Sequence, residues 1–248
     1  MVDAMSSFEV KNIIPLSLCG FDISITNSSL FMFLVVLVVW GVFSIGTMRK
    51  GLVPGKAQAV VECAFSFIGS IIKTNVPKKC AEVFPYMIAL FLFIVLGNVA
   101  GLFPFAFSFT SQLIVTLGIA MAVFLASIIV GFCNQGISFL SRFVPSGVPG
   151  YLAPFMIVIE LMSFFFRPIS LGIRLFANMV SGHIMIEVIA SFAASMAGIL
   201  AISYFAVVPV VVNVLLNAFK LIVCGLQAYV FVVLSCIYLS ESFEKPAH

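Results

Sequence analysis

TSQLIVTLGIAMAVFLASIIVGF, residues Thr110–Phe132, carries no formal charge from end to end. About 20 apolar residues in helical rise cover the hydrocarbon of a bilayer, so this run has the length and chemistry of a membrane-crossing helix. The pattern extends well beyond it. Between Val83 and Ser240 the formally charged residues are Arg142, Glu160, Arg167, Arg174, Glu187 and Lys220, with His183 beside them. The whole chain of 248 residues is 63% hydrophobic and 8% charged, with a mean hydropathy of +1.28. A soluble domain carries roughly a quarter charged residues. The sequence therefore predicts an all-α polytopic membrane protein, because helices satisfy their own backbone groups in lipid.

Working outward, Phe84–Phe109 forms the preceding crossing, so residues 84–132 read as a helical hairpin. Residues 29–47 make the first span and end at the basic Met48-Arg49-Lys50. Residues 1–28 are mixed and polar, without the basic start and short apolar core of a cleaved signal peptide. Between the first two spans, residues 54–79 interleave charges with Val61, Phe65, Ile68 and Ile72 at helical spacing. That pattern predicts an amphipathic helix on the membrane surface; the plainer alternative is a loop with a turn or two of helix. The basic excess from Arg49 to Lys79 marks this side as cytoplasmic, or matrix in an organelle, and puts the N-terminus opposite.

Downstream, Asn134–Gly150 returns the chain to the basic side, and Arg142 there reads as an interface anchor. Two apolar stretches follow, Tyr151–Ala194 and Met196–Leu239, each about twice the length of an ordinary span. Each is either a tight hairpin or one long tilted helix, and Pro168 and Pro209 are candidate kinks. The expectation is thus about five membrane-embedded helices plus one surface helix, in one membrane domain over residues 1–248. The six cysteines are scattered without a CxxC pair, which indicates neither a disulfide framework nor a metal site. No basic stripe interleaved with aromatics points to nucleic acid.

The polar residues inside the apolar stretches are the informative ones. Glu160, Arg167 and Arg174 are spaced by seven, with Asn178 one turn beyond, which places them near one helical stripe. His183 and Glu187 are one turn apart. Asn213, Asn217, Lys220, Cys224 and Gln227 form a second stripe in the last stretch. Two such faces must meet each other or line a wet cavity. Plainer roles exist for several members: Arg167 snorkelling or paired with Glu160, Glu187 paired with Lys220, Asn98 and Gln227 gluing helices together. Arg174 has no charge within six residues on either side. Arginine keeps its proton at any working pH, whereas glutamate and histidine exchange theirs. A fixed cation flanked by titratable groups is what a proton path with a built-in barrier requires.

RPISLGIRLFANMVSGH (Arg167–His183) closely resembles the central motif of subunit a of F-type ATP synthases. LQAYVF (Leu226–Phe231), GNVAGLFP (Gly97–Pro104), the MRK-GLVPGKAQ entry to the amphipathic segment and FVPSGVP (Phe143–Pro149) resemble that family too. The resemblance covers the chain from about Pro15 to Leu239 and is of the alphaproteobacterial and mitochondrial type. It implies a stationary subunit beside a rotating c-subunit ring, with proton half-channels separated by the arginine matching Arg174. It implies that the last two helices are long and tilted along the ring, over residues 151–239. By the same match, Gln227 lies near Arg174, Glu160 and His183 line a half-channel, and Asn178 and Ser170 orient water or the ring contact. Relatives tend to carry an acidic residue at position 220 and lysine at 187, so Lys220 and Glu187 read as an exchange of charge between the two helices, with proton access moved to Glu187.

Further implications are partners in the c ring, subunit b of the peripheral stalk, the rest of the F1Fo complex and membrane lipid. No cofactor and no catalysis by the chain alone are implied. The expected location is the bacterial inner membrane, N-terminus periplasmic and C-terminus cytoplasmic, or else the mitochondrial inner membrane. Rival readings fit less well. A secondary transporter usually shows internal repeats, and none is visible. An intramembrane enzyme needs a ligand cluster or a nucleophile with its base, and His183 and His248 lack such company. A purely structural subunit leaves Arg174 unexplained.

Overall fold

A computed structural model describes residues 12–14, 17–18, 21–22, 24–48, 55–102, 107–143, 152–197 and 207–243. Arg49, Lys50, the segment 144–150, the tail beyond Phe243 and the side chain of Arg142 lie outside the described residues. Six α-helices dominate: α1 (Asn27–Met48), α2 (Lys56–Asn75), α3 (Cys80–Ala100), α4 (Leu113–Gln135), α5 (Ala153–Ala197) and α6 (Val207–Phe243). All but α2 are long and apolar enough to cross a membrane, so the chain is a multi-pass membrane protein. Four short strands precede α1: β1 (Asn12–Ile14) pairs antiparallel with β4 (Ile25–Thr26), and β2 (Ser17–Leu18) with β3 (Phe21–Asp22). Polarity in this segment had given no sign of pairing.

Helix ends follow local chemistry. Thr26 and Ser29 cap α1 reciprocally: the Ser29 N–H donates to the Thr26 hydroxyl at 3.4 Å, and the Thr26 N–H to the Ser29 hydroxyl at 3.0 Å. At its other end α4 stops at Gly136, whose φ of +58° favours glycine. Inside the helices, the hydroxyls of Thr116, Ser127 and Ser235 donate to carbonyls of their own helix, which satisfies them without water.

Contacts between helix ends fix the up-and-down order. On one side, the Ser28 hydroxyl donates to Gln112 at 2.8 Å, joining the starts of α1 and α4. On the other, Gln135 at the end of α4 donates to the Ser242 carbonyl of α6 at 2.9 Å. There Lys79, just before α3, reaches Asn134 at 3.3 Å and sits 4.8 Å over the Phe243 ring. The amphipathic α2 buries Ile68 and Ile72 completely, against protein and not only at a lipid surface. Phe65 of α2 packs between Phe43 of α1 and Phe84 of α3, at 5.5 and 5.4 Å between ring centroids.

Among the described residues, the two long apolar stretches hold one long helix each, α5 and α6. An α5 of 45 residues is roughly 68 Å long at 1.5 Å per residue, against about 30 Å of hydrocarbon. Its apolar run of 43 residues stays in lipid only if the helix is steeply oblique. Pro168 lies within α5. Pro209 falls in the first turn of α6, where the missing N–H has no helical partner to lose, so it is no kink. Backbones approach closely at Gly172 of α5: a Cβ there would stand 3.0 Å from the Leu117 Cα of α4. The C-terminal half of α6 is enclosed by α2, α3, α4 and α5, with Phe231, Val232 and Cys236 fully buried. Its N-terminal half exposes Val211, Leu215 and Ile222, as the end of α5 exposes Met185, Val188 and Phe192.

Candidate functional site

Three cross-helix contacts fix the antiparallel register of α5 and α6. Arg167 meets Glu241, the Cys224 thiol meets the Met179 sulfur at 3.7 Å, and Gly182 meets Lys220. Interpolation between them puts Gln227 at the level between Arg174 and Met179. The register therefore sets the two polar stripes at matching levels, along what we call the track. From Glu160 to Arg174 along α5 is roughly 21 Å, and from Arg174 to Glu187 roughly 20 Å, at 1.5 Å per residue. Arg174 bisects the track.

At one end of the track Arg167 is answered twice. Its Nη1 donates to the Glu241 carboxylate at 2.6 Å, and its Nη2 stands 3.7 Å from Glu160. The guanidinium also lies 5.7 Å over the Tyr238 ring. Sequence spacing pointed to Glu160 alone. Glu241 and Tyr238 come from the far end of α6 and had no local signature.

Arg174 is exposed, next to exposed Ser170, Ile173 and Ala177 on the outer face of α5. Among the described residues no hydrogen bond or ion pair engages its guanidinium. Inward from it, Gln227 is 7% exposed with its Nε2 buried and unbonded. Asn178 likewise keeps Nδ2 buried and unbonded.

Beyond Arg174 a cavity of about 160 Å³ opens between the helices, lined by Asn178, Ser181, Gly182 and Met185 of α5 and Phe219 and Lys220 of α6. At about 30 Å³ per water it has room for a handful. Lys220 is 6% exposed and its Nζ has no hydrogen-bond partner; the Glu187 Oε2 and Asn213 Oδ1 are buried without partners as well. Both Glu187 and His183 interact electrostatically with Lys220. Groups this polar, buried at lipid depth without a hydrogen-bond partner, are costly and mark a site with a task. Asn98 of α3 is fully buried with both amide atoms unbonded, one turn from Gly101, which packs against Met179 of α5. Among the described residues no three His, Cys, Asp or Glu side chains gather as a metal site.

The arrangement sets titratable groups on either side of a cation that never titrates. Several curated bacterial proteins share this sequence pattern. Subunit a of the ATP synthase of Rhizobium etli strain CFN 42 is 41% identical over 247 residues, which is 99% of each chain. The subunit a of Beijerinckia indica is 42% identical over 250 residues, covering 100% of this chain and 98% of its own. Subunit a 1 of the Brucella anthropi ATP synthase is 40% identical over 99% of each chain. The sequence model of the family described as ATP synthase A chain matches residues 29–240, a range that takes in most of every helix and the polar residues from Glu160 to Gln227, and the chain belongs to that family.

Proposed function

We propose that the chain is the stationary proton-translocating subunit of an F-type ATP synthase, and that Arg174 is the barrier between two aqueous half-channels. One half-channel runs past Gln227, Asn178, His183 and Lys220 to Glu187. The other runs past Arg167 to Glu160. Each delivers protons to, or removes them from, a carboxylate on a rotating c ring that docks on the outer face of α5 and α6, with Ser170 at that contact. The passing carboxylate stays ionised beside Arg174, so a proton cannot cross from one half-channel to the other without a turn of the ring.

The observation that carries this reading is the place of Arg174: midway along the track and exposed on a largely apolar face, with no ion-pair partner among the described residues. A guanidinium near the bilayer centre costs about 2.5–3.5 kcal/mol or more unless a partner answers it. A ring carboxylate is such a partner. The chain has no chemistry of its own in this scheme; ATP is made elsewhere in the complex. Its partners are the c ring, subunit b of the peripheral stalk and the remainder of the synthase. The membrane is the bacterial inner membrane, with the N-terminus periplasmic and the basic Lys79 side cytoplasmic. Lys220 and Glu187 are an opposite-charge pair across α5 and α6, and proton access on that side passes by Glu187.

The test is ATP-driven proton pumping in membranes carrying Arg174→Ala, with assembly followed by co-purification of the ring. Expected is an assembled complex that pumps no protons. Pumping that persists makes the motif scaffolding and reopens the transporter alternative.

A further inference from the structure

Lys220 is cradled in an unusual way. Its stem crosses α5 at Gly182, where a Cβ would lie 2.8 Å from the lysine Cε and 3.0 Å from Cδ. Carbon atoms do not pack that closely, so any other residue at position 182 displaces the lysine. The displaced atoms belong to the far end of a flexible side chain, so α5 and α6 need not part. What has to move is the ammonium, from a position that is 6% exposed at the wall of the α5–α6 cavity.

We infer that Gly182 is a positioning residue: its missing side chain is a slot that lays Lys220 flat against α5 and sets the ammonium in the cavity within reach of Glu187 and His183. Lys220 Nζ and Glu187 Oε2 are both buried and make no direct bond, so they act on each other through charge and not through a hydrogen bond. Slot, lysine, cavity and carboxylate then form one unit, in which the reach of the side chain at 220 and the absence of one at 182 are matched. The inference rests on the reading of this track as a proton path.

The experiment uses the complete ATP synthase in everted membranes, with Gly182→Ala measured for pumping and for the temperature at which the purified complex releases its c ring. Displacing a group by about 1 Å at a working site lowers rates by up to about a hundredfold. Pumping should fall about tenfold while the ring-release temperature stays where it is. Adding Lys220→Ala, which empties the slot, should leave Gly182→Ala without further effect on either quantity. Pumping within about twofold of wild type overturns the inference, and so does a loss that comes with an earlier ring release, because that is a packing defect. Arg174→Ala in the same membranes separates the two readings. Pumping that survives there removes the proton path itself, whereas silence there with full pumping in Gly182→Ala removes only the slot.

Discussion

Arg167 and Arg174 are two helical turns apart on α5, yet their surroundings are opposite. Arg167 has two carboxylates and an aromatic ring around it, and holds the start of α5 to the end of α6. Its removal should act on stability. Hydrogen bonds to charged groups contribute about 1.5–3 kcal/mol, so Glu241→Gln should lower the ring-release temperature of the complex while pumping per assembled complex stays near wild type. A normal release temperature would mean that the clasp contributes nothing. Glu187→Gln is predicted to do the reverse: assembly intact, proton flux cut about tenfold or more, as removal of a proton-transfer group does elsewhere. Unchanged flux there would end the assignment of proton access to Glu187.

Among the elements, what could be read in advance follows from what periodicity encodes. The membrane class and the amphipathic stripe of α2 depend on spacing within one helix, and sequence displays spacing directly. The pairing of Arg167 with Glu241 depends on how two helices are registered across the whole chain, and no local period holds that information. The same limit applies to Gly182, an unremarkable glycine until Lys220 is laid across it. Whether 151–239 held two helices or four was undecidable by length, and the structure resolves it into α5 and α6. Close packing at single glycines had no signature either. Gly172→Val should force α4 away from α5, because the obstacle is the Leu117 backbone and cannot rotate aside. The expected result is loss of assembled subunit in purified complexes, and normal yield would show that the helices can separate cheaply. Phe231→Ala, at the fully buried centre of the α6 packing, should cost about 3–5 kcal/mol and give the same defect more mildly.

Across the molecule as a whole, five crossing helices form a packed body from which the end of α5 and the start of α6 project as a pair. The polar track continues into that pair. Water should follow it, and thiol chemistry can detect the water, since the thiolate is the reactive form. With the exposed Cys63 and Cys133 replaced, Asn217→Cys on the track should react with a small water-soluble thiol reagent about tenfold faster or more than Ile222→Cys on the lipid-facing side. Equal rates would mean the pair is dry.

The outward-facing guanidinium of Arg174 has a further consequence for the life of the chain before assembly. If a ring covers it as proposed, a newly inserted copy without that ring presents a bare cation to acyl chains, and lipid answers by admitting water and headgroups around it. Such a copy deforms the membrane it sits in. On the reading proposed above, the residue that meets the ring thus makes an unassembled copy physically distinct from an assembled one.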